Sequence, residues 1–228
     1  MANRLSKEQL ESDPLLTSYY LFTSFLKRNL SLVIGASIAF LLLVGGGLAY
    51  YFHTRALEQE AQELLVRAEQ TFHNGEYEIA LWGDDDSIRF GLVDIINDYG
   101  RTKAGNMARY YAAAAEAELG NYEDALYYIE RFDPPAGILG VGPITFHAVV
   151  LSNLGELEQA SEIFIKAAEW DENEATTPQN LFNAAQVSME AGNYIKAREL
   201  VNRILNNYED SDVADQAQRL EGMLIARQ

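Results

Sequence analysis

Three histidines, His53, His73 and His147, are the whole imidazole supply of this 228-residue sequence. A metal centre or a general base would have to draw on them. His73 and His147 are 74 residues apart on expected helices, and His53 closes an apolar run, so no metal-ligand spacing joins them. They read as surface or packing residues. No nucleophile-elbow pattern supports a Ser-His-Asp set. Cysteine is absent, which excludes a zinc-thiolate site, a thiol nucleophile and a disulfide framework. Asp84, Asp85 and Asp86 are contiguous, whereas a calcium loop alternates its ligands and places glycine at the sixth position, so a solvated acidic turn is expected. The run Gly137-Ile138-Leu139-Gly140-Val141-Gly142 lacks the order of a dinucleotide or phosphate loop and no lysine follows it. It reads as the connection after Pro134-Pro135. Neither catalysis nor a cofactor is expected, and what remains is the chemistry of binding surfaces.

Charge narrows the partners. The formal net charge is -17, and residues 54–228 hold 31 acids against 13 bases. Such a domain repels phosphate backbones, which argues against nucleic acid. The acidity serves solubility or attracts basic partner segments. No small-molecule substrate is expected.

The elements that would position such a surface begin with Leu30 to Phe52, 23 residues without a charge. As a helix they span roughly 34 Å, enough for a hydrocarbon core of about 30 Å. Lys27 and Arg28 precede the run, and Tyr50, Tyr51 and Phe52 close it as an interfacial aromatic belt. It exceeds the usual apolar core of a signal peptide, so an uncleaved anchor is expected. Arg4, Lys7, Lys27 and Arg28 lie before the span; only Arg55 and Arg67 follow soon after it. That asymmetry puts the N-terminus in the cytoplasm and the large domain outside. The expected divisions are 1–29, a cytoplasmic tail; 30–52, the anchor; and 53–228, the extracytoplasmic domain. Asp13-Pro14 is a helix-start signal, and the apolar residues after it predict an interfacial helix or an extension of the anchor.

Beyond the anchor a pattern recurs: glycine, a large apolar residue two positions on, alanine three later. It occurs at Gly75-Tyr77-Ala80, Gly120-Tyr122-Ala125, Gly155-Leu157-Ala160 and Gly192-Tyr194-Ala197. Successive glycines are 45, 35 and 37 residues apart. Glycine would end one helix in a left-handed conformation, and alanine would let the next approach closely. Ala113, Ala148 and Ala185 each fall seven residues before their glycine; Ile129, Phe164 and Val201 fall nine after. The run from Trp82 to Ser87 interrupts the second helix of the first unit and accounts for the long first interval. Thr102 and Ser211, three residues after Tyr99 and Tyr208, are expected helix caps. The predicted fold is all-α: one N-terminal transmembrane helix, then about four helix pairs and a closing helix near 212–227.

The period and the registered small and large positions resemble tetratricopeptide repeats, over about residues 57–228. With the short tail, single anchor and Asp94–Ala112 stretch, the arrangement resembles the YfgM-like ancillary subunits of the SecYEG translocon. The resemblance implies a right-handed superhelix in a bacterial inner membrane, its domain in the periplasm. The implied partners are translocon components, exported client chains or periplasmic chaperones, bound by a chaperone-like adaptor. A scaffold for envelope assembly or division has the same topology. By family position the concave groove takes Leu65, Glu69 and Phe72 from the first unit, then Tyr110, Ala114 and Ala117. Thr145, Val149 and Ser152 follow from the third unit, and Phe182, Gln186 and Met189 from the fourth. Some of these could instead pack against neighbouring helices. The lysines and asparagines with which other members grip a terminal carboxylate are missing at these places.

Overall fold

A single turn residue, Asn29, divides the N-terminal apolar segment into two helices. The computed structural model describes residues 14–84 and 89–226. Arg4, Lys7, the Asp13 cap and most of the acidic turn (Asp85 and Asp86) lie outside the described residues. The chain divides into two units, 1–56 and 57–228. In the first, α1 (Pro14–Arg28) is followed by the start of α2 (Leu30–His73). Asn29 N–H donates to the Phe25 carbonyl and Val33 N–H to that of Asn29, both at 2.9 Å. These two bonds carry the chain through a one-residue turn at Asn29, so α1 and α2 are successive helices of one apolar segment. Its apolar side chains, from Tyr19 and Phe22 through Leu43 to Phe52, are exposed. A helix apolar on all sides suits hydrocarbon, where backbone polar groups must be satisfied internally. α2 is the one helix among the described residues long and apolar enough to cross a membrane.

The second unit contains the end of α2, then α3 (Tyr77–Trp82), α4 (Leu92–Tyr99), α5 (Lys103–Glu118), α6 (Tyr122–Ile129) and α7 (Ile138–Asn153). After them come α8 (Leu157–Trp170), α9 (Thr177–Glu190), α10 (Tyr194–Asn207) and α11 (Ala214–Ile225). No strand occurs among the described residues. From α4 onward each helix packs on the next. One core joins Ala61, Leu65 and Ala68 to Leu81, Leu92, Ile95 and Ala104, Ala108, Ala112 and Ala115 of α5; another joins α7 through α11.

The four recurrent glycines are the hinges. Gly75, Gly120, Gly155 and Gly192 have φ of 82°, 83°, 78° and 80°. At each, the following amide reaches back five residues, as in Asn121 N–H to the Glu116 carbonyl at 2.8 Å, while the glycine amide bonds three back. This pair of bonds is the Schellman termination, which consumes carbonyls that the helix end would orphan. Ala80, Ala125, Ala160 and Ala197 then sit fully buried in the next helix, as do Ala113, Ala148 and Ala185 in the preceding ones. A Cβ on Gly120 would meet nothing within 4 Å, so its requirement is conformational alone. Gly120→Val is expected to destabilise the domain by roughly 1–2 kcal/mol, because a β-branched residue is strained at that φ. Gly142→Ala, also in open space but helical, should leave thermal unfolding unchanged or raise its midpoint slightly. Equal midpoints for Gly120→Val and wild type would contradict this account of the hinge.

Two expectations need correction. Thr102 caps α5, its Oγ1 accepting from Gly105 N–H at 2.9 Å, but Ser211 caps nothing. The amide three residues on, Ala214 N–H, donates instead to the Ser211 carbonyl at 3.0 Å, and Val213 becomes the N-cap. The Ser211 hydroxyl is buried with no hydrogen-bond partner among the described residues. The closing helix runs Ala214–Ile225, close to the expected bounds. The glycine-rich run is not a connection, since Gly140 and Gly142 lie inside the first turns of α7.

Candidate protein-binding face

Glu69, Phe72 and Tyr110, three of the expected groove residues, come together in a chain of aromatic rings. Phe72, near the end of α2, contacts Tyr77 of α3 at 5.3 Å between centroids and Tyr111 of α5 at 5.5 Å. Tyr111 meets Tyr110 at 5.7 Å, and Tyr110 meets Phe146 of α7 at 5.8 Å and Phe132 at 5.6 Å. The rings are tilted or edge-on, the arrangement that the aromatic quadrupole favours. Phe72, Tyr77, Tyr110, Tyr111 and Phe146 are half-buried, so each ring packs on one side and keeps surface on the other. The Tyr111 hydroxyl donates to a Glu69 carboxylate oxygen at 2.6 Å. Burial and that carboxylate push the phenol well above its ordinary pKa, which keeps it a neutral donor. His73 adds an edge to Tyr111 at 6.1 Å, and its Nδ1 lies 2.7 Å from the Glu69 carbonyl oxygen.

The remaining expected residues divide. Ala114 and Ala117 are half-buried on the face of α5 that carries Tyr110, four and seven residues along. Thr145 donates from Oγ1 to the Asn180 side-chain oxygen at 2.7 Å, tying α7 to α9. Ser152 returns its hydroxyl to the Ala148 carbonyl at 3.0 Å. Val149 and Gln186 are exposed. Leu65 belongs to the first core, and Phe182, only 6% exposed, to the second, with Met189 packed against it. The expected wall of Tyr110, Phe182 and Met189 therefore loses its middle member, because Phe182 has no free surface to offer. Tyr111, Tyr77 and Phe146 are the residues that sequence reasoning missed. The adjacency of Tyr110 and Tyr111 is the available signal, since neighbours on a helix point to different faces and two aromatic rings there reach both.

His147 lines a small cleft of about 110 Å³ with Glu130 and Lys166. Burial pushes its imidazole below the ordinary 6.5; Glu130 opposes the shift and Lys166 adds to it. No grouping of three or more potential metal ligands occurs among the described residues. In comparisons with known proteins, no family model matches this sequence and no curated protein matches it.

Proposed function

We propose that this chain is a membrane-anchored, protein-binding adaptor of tetratricopeptide type, a chaperone-like accessory to protein export. The observation that carries the reading is the half-exposed chain of aromatic rings from Phe72 to Phe146. Aromatic surfaces of this kind offer large contact area at low entropic cost to extended apolar segments of varied sequence. Exposed Glu118 and Glu190 add long-range attraction for basic segments, an effect that weakens with salt. The anchor holds this face at a membrane, with the N-terminus cytoplasmic and the domain in the periplasm. The assignment to the export machinery rests on the family resemblance.

A photocrosslinking side chain at His73, edge-on to Phe72 and Tyr111, or at exposed Val149, about one helical turn from Phe146, tests the reading in whole cells. Translocon subunits or chains in transit are the expected captures. Division or peptidoglycan proteins would instead support the scaffold reading. In the same cells, opening the outer layer should expose the domain to added protease while a tag at residue 1 stays protected. Protection of the domain would reverse the orientation.

A further inference from the structure

Against its net negative charge, the second unit gathers four cations into one place. Arg101, Lys103 and Arg109, around the start of α5, and Arg131, after α6, line an open cleft of about 760 Å³. Asp133 is the only carboxylate in its lining. Among the described residues, no acidic side chain lies within ion-pairing distance of any of the four. Two are held in place through neutral partners. Arg109 donates to the Gly100 carbonyl at 2.9 Å. Arg131 donates to the Tyr127 carbonyl at 2.6 Å and lies 3.7 Å over the Tyr127 ring. The guanidinium faces not used in these bonds remain available, already oriented.

The rest of the lining is largely apolar, and it is held in place. Phe132, Pro134, Pro135 and Ala136 face the cleft with Met107. Asn106 grips this wall twice: its side-chain amide donates to the Asp133 carbonyl at 2.8 Å, and its oxygen accepts from Asp133 N–H at 2.9 Å. Trp170 Nε1 holds the Pro135 carbonyl at 3.1 Å from the other side.

We propose that this cleft binds an extended acidic peptide segment whose carboxylates meet the four cations while apolar side chains lie on the Phe132–Ala136 wall. A compact anion such as phosphate would normally use the free amides of a helix start. At α5 those amides are taken. Lys103 and Ala104 donate to the Glu58 carboxylate at 2.7 and 3.1 Å, and Gly105 donates to Thr102. What is left for a ligand is side-chain cations spread along an apolar wall, which suits carboxylates spaced along a chain. The net negative charge of the unit does not defeat this at physiological salt, where the Debye length is about 8 Å and the local cations dominate.

The test uses the full chain in non-ionic detergent micelles. The probe is a short fluorescent peptide of glutamate, leucine and serine, with glutamine replacing every glutamate in the control. The acidic peptide is expected to bind at least tenfold more tightly than the control. Arg101→Gln with Lys103→Gln removes two charges whose side chains make no bond among the described residues, so it should weaken the acidic peptide about fivefold and leave thermal unfolding unchanged. Arg131→Gln should weaken it by a similar factor. Equal affinity for the two peptides, or no loss in the charge variants, would overturn the proposal. So would displacement of the peptide by inorganic phosphate at matched ionic strength, which would assign a compact anion. Charge-dependent binding to phosphatidylglycerol vesicles without peptide binding would assign a lipid surface. A basic peptide captured by the aromatic face should be indifferent to these variants, which separates this site from that one.

Discussion

Phe182→Ala is expected to destabilise the second unit by about 3–5 kcal/mol, the usual penalty for emptying a buried aromatic site. Phe182 shares its core with Phe164, Leu181, Val201, Ile204 and Leu220, contributed by four helices. Neither α8 nor α10 can close on the void without moving its buried alanines, Ala168 and Ala197, off their partners. Phe182→Leu, which keeps most of the volume, should cost under about 1.5 kcal/mol. Chemical unfolding followed by circular dichroism measures both. A change below about 1 kcal/mol for the alanine variant would mean that the ring is free, and would return Phe182 to the binding face.

Gly140→Ala should destabilise by roughly 2–4 kcal/mol, for a different reason. A Cβ there would collide with the Pro135 carbonyl oxygen and the Trp170 indole. Those two groups are hydrogen-bonded to each other across Gly140. The carbonyl is backbone and fixed by the Asn106 clamp on Asp133 two residues before it, so the indole must move and the bond is lost. Overpacking of about 1–3 kcal/mol and a lost bond of about 1 kcal/mol combine to that figure. In a Trp82→Phe background, which leaves Trp170 as the only indole, fluorescence should shift to longer wavelength as the ring becomes solvated. An unshifted spectrum with native stability would contradict the close approach.

The hinges were legible because their requirement is local. A glycine at positive φ followed by an alanine at zero exposure leaves a fixed signature in sequence, and all four hinges occur where that signature stands. Ser211 misled because a hydroxyl at the right spacing is only half of a cap. The amide it needs must also be free, and here the backbone turn takes it. Gly140 misled because its close contact is with Pro135 and Trp170, groups whose approach no local pattern records. The binding face was partly legible. Helical spacing places Tyr110, Ala114 and Ala117 together, yet it does not say whether a face meets solvent or the next helix. That difference separates Tyr110 from Phe182. The cationic cleft was hidden by the average: its residues come from two segments about thirty positions apart in a strongly acidic chain.

The measurement that tests the central claim most directly is capture of an extended peptide of leucine, phenylalanine and lysine by the full chain in micelles. Wild type is compared with a His73→Arg and Val149→Arg double variant. Both positions are exposed; His73 stands edge-on to Phe72 and Tyr111 and Val149 lies about one helical turn from Phe146, so the substitutions should leave the fold intact while placing like charge beside the incoming lysines. The account predicts binding by wild type and a loss of about tenfold in the variant, equivalent to about 1.4 kcal/mol, with unchanged thermal unfolding. Equal capture by the two proteins, or none by wild type, would contradict a protein-binding role for this face.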